Sequence, residues 1–331
     1  MKRKKDERYE NLPMIDKLPI WCNLAKELEK LKVNIGIDKL KLCYTVVNED
    51  VINYLETEKP DFLNLYEFDL QRIEGKYHSD IYQILVKDVD NYNIDKEIET
   101  VVFGELRFNL KAENENEVEN NELEKEKRVW LYINNETLYK KFLMNFLDYI
   151  VENLGLRLRN VTEIEIYIDS TKKNIPQLLK RMVRCSDFKM ILNGKEIKDR
   201  EEYRPELDYN HSGNCNKYTN LTFYASSQKA KKNKRDGITV CAYDKKTEVD
   251  LISKKHYILE KYKKPKKLYR TEIRVGNEKF KEYCIANRIE LEEFIFRDKG
   301  FLYATFEWFF EKVLYFKNEL NKKLSVAEII L

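Results

Sequence analysis

Hydrophobic and polar positions divide the chain into short runs. Residues 20–31 carry apolar side chains at helical spacing, whereas 35–45 alternate at period two and read as a first strand. Residues 48–55 read as a short capped helix, and alternating runs at 63–73, 80–86 and 101–110 read as antiparallel strands. Residues 128–133 resume the sheet, and apolar positions from Tyr139 to Leu154 trace one helical face that ends at Gly155, a natural C-cap. A strand at 161–169 follows; Pro176 then opens a helix that runs to Arg184, and 188–192 reads as a strand. Past a polar connection at 195–219 come strands at 221–226, 238–244 and 268–275, with a helical stretch at 248–262. The end is helical, at 277–287, 291–297 and 302–324, and no internal repeat is present. This order predicts an α+β fold: an antiparallel β-sheet core packed by helices on one face.

Residues 111–127 interrupt the pattern. They are dominated by Glu, Asn and Lys and cannot bury enough surface to offset their ordering entropy, so a disordered hairpin loop or insertion is expected there. The chain then divides into a flexible N-terminus (1–19), a body (20–300) carrying the insertion, and a C-terminal helix (301–331) that packs on the core or forms a dimer face. The net charge is only +3, so no global basic signature announces a polyanionic partner; basic residues instead gather at 229–235 and 254–270, away from the acidic 113–126. The six cysteines form no Cys-x-x-Cys pair and read as free thiols in a reducing compartment. Without an apolar leader or a long uncharged apolar stretch, the sequence predicts a cytoplasmic protein with no membrane contact.

The run Glu163-Ile-Glu-Ile-Tyr-Ile-Asp169 carries the strongest chemical signal. On a strand, Glu163, Glu165, Tyr167 and Asp169 share one face and the isoleucines take the other. Carboxylates so grouped repel unless water, Lys/Arg or a metal compensates them, and oxygen ligands suit Mg²⁺ or Mn²⁺. In 268–275, Arg270, Glu272 and Arg274 likewise share a face. Each strand also has a simpler reading, as the solvated side of an amphipathic strand. Tyr224 lies between them on the side of Thr222 and Ser226, but among 22 tyrosines composition alone gives it no special role.

Resemblance adds to this. Thr-Phe-Tyr-Ala-Ser-Ser (222–227), Val-Cys-Ala-Tyr-Asp-Lys-Lys-Thr-Glu (240–248) and Leu-Tyr-Arg-Thr-Glu-Ile-Arg (268–274) resemble, in order, the C-terminal half of the replication-initiation-factor family. That family comprises rolling-circle initiators of plasmids and phages, with relaxases that lack a histidine pair. Gly36-Ile-Asp38-Lys-Leu and 161–169 resemble its Asp-bearing first strand and its carboxylate strand. The chain departs from the pattern at Glu163, where Arg is common, and at Ser226, where Gly is usual; His78, His211 and His256 form no His-hydrophobic-His pair.

The resemblance implies the fold of a rolling-circle nicking domain. It makes Tyr224 the nucleophile that nicks one strand, leaving a 5′-phosphotyrosine and a free 3′-OH, with Lys245 assisting at the phosphate. It implies Mg²⁺ or Mn²⁺ held by residues among Asp38, Glu163, Glu165, Asp169 and Glu272. DNA contacts are implied for Lys229, Lys231, Lys232, Lys234, Arg235, Arg270 and Arg274, with Tyr257, Tyr262 and Tyr269 available for base stacking. The implied partners are single-stranded or hairpin origin DNA, a host helicase and a second copy of the chain. Two alternatives stay open on the residues alone: a non-catalytic nucleic-acid-binding protein, and a metal-dependent nuclease that uses water.

Overall fold

A computed structural model of the chain describes residues 14–65, 67–74, 78–87, 100–110, 127–140, 144–197, 206–207, 220–225 and 237–330. The expected insertion, apart from its last residue, His211, Ser226 and the basic run with Lys229, Lys231, Lys232, Lys234 and Arg235 lie outside these residues.

In chain order the elements are α1 (Met14–Lys30), β1 (Asn34–Val46), α2 (Asp50–Thr57), β2 (Phe62–Leu65), β3 (Phe68–Ile73), β4 (His78–Lys87), β5 (Thr100–Leu110), β6 (Arg128–Ile133), α3 (Asn135–Tyr139) and α4 (Phe146–Asn153). There follow β7 (Leu156–Ser170), α5 (Ile175–Arg184), β8 (Lys189–Leu192), β9 (Lys195–Glu196), β10 (Glu206–Leu207), β11 (Asn220–Tyr224) and β12 (Ile238–Asp244). Next come α6 (Lys245–Glu248), a π-helical turn (Val249–Ser253), α7 (His256–Lys261), β13 (Tyr269–Gly276) and α8 (Asn277–Ala286). A 3₁₀ turn (Glu293–Arg297), α9 (Lys299–Val313), β14 (Leu314–Lys317) and α10 (Val326–Ile330) complete the chain.

These elements form two compact units. The first takes the chain up to Asp38, Glu163–Glu290 and from Ile295 onward; the second takes Lys39–Thr162 and Leu291–Phe294. In the first, strands follow the order β10-β11-β12-β13-β7-β1, and β10 to β13 and β7 pair antiparallel along that order. One face is apolar: Leu221 and Phe223, Val240 and Ala242, Ile273 and Val275, and Ile164, Ile166 and Ile168 are buried in register. Helices α5, α8 and α9 pack on these strands. Pro176 stands in the first turn of α5, and the side chain of Asn174 caps it by accepting from the Gln177 N–H.

The C-terminal helix is shorter than its sequence pattern. Asp298 caps α9 by accepting from the Phe301 N–H, and its aromatic residues pack inside the unit, Phe301 against Trp21 of α1 and Phe309 against Phe280 and Tyr283 of α8. At Leu314 the backbone turns extended (φ −140°, ψ 129°), and β14 pairs with β8 in a small sheet of order β14-β8-β9. The apolar residues that extend the helical pattern toward 324 serve this strand instead.

In the second unit the strand order is β7-β1-β6-β5-β4-β3-β2, with β1 and β7 contributing the parts that lie within it. The run at 63–73 is a hairpin, not one strand, folded so that Leu65 faces Phe68. The helix expected over 139–154 is divided, with α3 ending at Tyr139 and α4 beginning at Phe146. Gly155 follows α4 with φ +60°, a conformation that favours glycine, and a Cβ there would meet Asn48 at 2.5 Å. β7 starts directly after it, at Leu156. The whole is an α+β fold built on antiparallel sheet with packed helices. Among the described residues no helix is long and apolar enough to cross a membrane.

Candidate functional site

The face opposite the apolar one is built by register. Antiparallel partners point the same way, so the pairing lines up three rows: Asn220, Tyr243, Arg270 and Asp169; Thr222, Cys241, Glu272 and Tyr167; Tyr224, Thr239, Arg274 and Glu165. Asp38, from β1, joins this face. One carboxylate oxygen from each of Asp38, Glu165 and Glu272 lies within 4.8 Å of the others. Oxygen ligands on opposite sides of a hard divalent cation are separated by about 4–5 Å, so the three span a cation-sized space. Glu272 is fully buried and Glu165 is 8% exposed.

Two arginines organise these acids. The Arg270 guanidinium is fully buried and grips Asp169 with a fork, Nε to Oδ1 and Nη2 to Oδ2, both at 2.7 Å. Its Nη1 donates to Asp38 Oδ1 at 2.7 Å, and it stacks on the Tyr167 ring at 3.8 Å. Gly36 makes room for that ring: a Cβ at position 36 would lie 2.7 Å from the Tyr167 hydroxyl. Arg274, half-exposed, donates to Glu272 Oε1 at 2.5 Å and lies 3.7 Å from Glu165. In formal charge four acids face two guanidiniums, an excess of negative charge in a poorly solvated place. Lys261 lessens it only in part. Its ammonium donates to the Tyr167 hydroxyl at 2.7 Å, and desolvation draws its pKa down to about 8 although the residue as a whole is exposed.

Two tyrosines serve the acids as donors. Tyr243 donates to Glu272 at 2.7 Å and Tyr262 to Asp169 at 2.8 Å. Burial, followed by the charge of the neighbouring acid, raises the pKa of Tyr243, Tyr262 and Tyr167 well above the ordinary phenol range. All three are held as neutral phenols. Tyr224 differs: it is half-buried at the end of β11, and the Asn193 side chain fixes its main-chain carbonyl at 2.8 Å.

Several expectations change. Of the five carboxylates, Asp38, Glu165 and Glu272 form the close group; Asp169 is committed to Arg270 and Tyr262, and Glu163 lies farther along β7 opposite Gly276. Arg270 is too buried to reach a DNA backbone and instead positions Asp169 and Asp38; Arg274 keeps a half-exposed side chain. Lys245 is buried in the first turn of α6, 2.9 Å from Glu248. Tyr269 is buried on the other sheet face and presents no stacking surface on this one; Tyr262, its hydroxyl on Asp169, and Tyr257 are half-buried. Sequence reasoning overlooked Tyr243 and Lys261 as parts of the network. For Tyr243 the signal was present, since alternation in 238–244 puts Thr239, Cys241 and Tyr243 on one side.

No protein-family model matches the chain, and a search of curated proteins returns no match. One solved structure, a rolling-circle replication initiator protein from Geobacillus stearothermophilus, aligns over 86% of this chain and 88% of its own at 12% identity and a TM-score of 0.36. A likeness at that level establishes neither fold nor function, and the site is read from its own residues.

Proposed function

We propose that this protein nicks one strand of DNA through Tyr224, as a rolling-circle initiator or a related relaxase. The observation that carries the reading is the convergence of Asp38, Glu165 and Glu272 on the sheet face that Tyr224 shares. The sequence motifs around Tyr224 and Arg270–Glu272 support it independently. Asp38, Glu165 and Glu272 would hold Mg²⁺ or Mn²⁺, and the donor set fits: hard oxygens, cation-sized spacing and an excess of negative charge. Such an ion, when bound, polarises a phosphoryl oxygen and offsets the charge that builds there.

The chain's own residues do the rest. Tyr224 Oη bonds to phosphorus as the bond to the 3′-oxygen breaks; the phenolic proton passes to solvent, and the departing oxygen takes up one to become a 3′-OH. The phosphodiester energy stays in the 5′-phosphotyrosine, available for rejoining. Arg274 lies in the same cross-strand row as Tyr224 and Glu165, and its half-exposed side chain would contact a phosphate there. Tyr243 and Tyr262 orient acids, and with Tyr167 they are held protonated and do not compete as nucleophiles.

The test is a denaturing gel after incubation with Mn²⁺ and a pool of labelled single-stranded hairpin DNAs. Wild type is expected to give a protein–DNA adduct resistant to denaturant, and Tyr224→Phe to reduce it by about 1,000-fold or more. Cleavage that persists undiminished in Tyr224→Phe would replace the tyrosine with metal-bound water, because the three carboxylates form a complete group without Tyr224.

A further inference from the structure

On the other face of the first unit's sheet, a cavity of about 460 Å³ lies between α5 and the strands β12 and β13. Lys180, Arg181 and Arg184 line it from α5, beside Gln177, with Tyr269 and Asp244 opposite. Tyr269 and Asp244 are cross-strand partners and alternate with Arg270 and Tyr243, so they point away from the carboxylate group. The Asp244 carboxylate is already used, capping α6 by accepting from the Thr247 N–H at 3.0 Å.

Among the described residues none of these three cations forms an ion pair or a side-chain hydrogen bond, in contrast to Arg270 and Arg274 on the other face. Lys180 and Arg184 are four residues apart and Arg181 and Arg184 three, so like charges adjoin on one side of the helix, an arrangement that disfavours the helix unless an anion bridges them. They extend over about 6 Å of helix rise, and Arg181 and Arg184 are exposed. A strip of cations open to solvent suits a chain of anions better than one enclosed dianion.

We propose that this cavity is a second phosphate-binding site and that it takes the sugar–phosphate backbone of a nucleic acid, separate from the strand at the carboxylates. Lys180, Arg181 and Arg184 supply the charge, and Gln177 supplies a neutral donor. The choice of nucleic acid over another phosphate ligand rests on the nicking function proposed above; the presence of a phosphate site does not.

The experiment measures affinity for a labelled hairpin DNA by anisotropy, without divalent metal, from 50 to 200 mM NaCl. Wild type is compared with Lys180→Gln/Arg181→Gln/Arg184→Gln and with the single Arg184→Gln, after thermal melting has shown each variant folded. Loss of three phosphate contacts lowers the log–log salt slope by about 2.7, so wild-type affinity should fall about 40-fold more than the triple variant's over that range. Arg184→Gln should show about a third of the slope change. An unchanged slope in the folded variants overturns the proposal. So does a site that inorganic phosphate or a mononucleotide fills, shown by a rise in melting temperature that the triple variant loses, while DNA affinity stays unchanged; that result assigns a small phosphate ligand. Failure of the nicking reading is distinguishable, because it shows as absence of the Tyr224 adduct while this metal-independent binding persists.

Discussion

Each unit buries acid, and the two differ in what answers it. In the second unit Asp80, fully buried on β4, faces Lys59 at 3.4 Å and Arg72 at 3.7 Å. In the first, Asp38, Glu165, Asp169 and Glu272 share a sheet face with Arg270 and Arg274. One acid between two cations is a self-contained structural pairing. Four acids grouped before two guanidiniums, with Lys261 nearby, are not, and crowding like charges in a poorly solvated place costs stability. Buried carboxylate alone therefore does not mark a working site in this protein. Three carboxylates drawn together within a cation's span are what distinguish the proposed site.

The largest effect that would sharpen this contrast is expected at Arg270. Arg270→Met leaves Asp169 and Asp38 facing one another without a counter-charge and should lower stability by about 3–5 kcal/mol in chemical denaturation. Asp80→Asn should cost less, about 1–3 kcal/mol, because Lys59 and Arg72 both reach solvent. Equal costs would break the comparison. Between these in size, Mn²⁺ at 100 times its dissociation constant should add about 2.7 kcal/mol to wild-type stability. Asp80→Asn should keep that gain and Glu272→Gln should lose it; a gain retained in Glu272→Gln would move the ion elsewhere. Smallest is Glu165→Gln in metal-free protein, which relieves acid repulsion and should change stability by no more than about 0.5 kcal/mol, or raise it. A loss of several kcal/mol there would make Glu165 a structural acid like Asp80.

Much of this face was legible because strand periodicity is local. Alternation in 163–169 and 268–275 placed Glu165, Asp169, Arg270, Glu272 and Arg274 on their faces, and the register then set Arg274 opposite Glu165 and Arg270 opposite Asp169. Local pattern could not say which acids an arginine would neutralise. Asp169 and Asp38 differ in sequence by more than a hundred positions and are joined through Arg270, so Asp169's withdrawal from the close group followed from tertiary structure. Lys261 was unreadable for the same reason, since nothing around it in sequence points to Tyr167. The end of α9 was misjudged because Leu314-Tyr-Phe fits a helical face as well as a strand, and the edge of β8 decides between them.

The central claim is that Tyr224 attacks a phosphodiester beside the Asp38–Glu165–Glu272 group. Its most direct test is mass spectrometry of the wild-type adduct after nuclease trimming and trypsin digestion. The expected result is a nucleotide phosphate on the peptide from Tyr218 to Lys229, with fragment ions that place it on Tyr224. An adduct on any other tyrosine, or strand cleavage with no modified peptide, would contradict it.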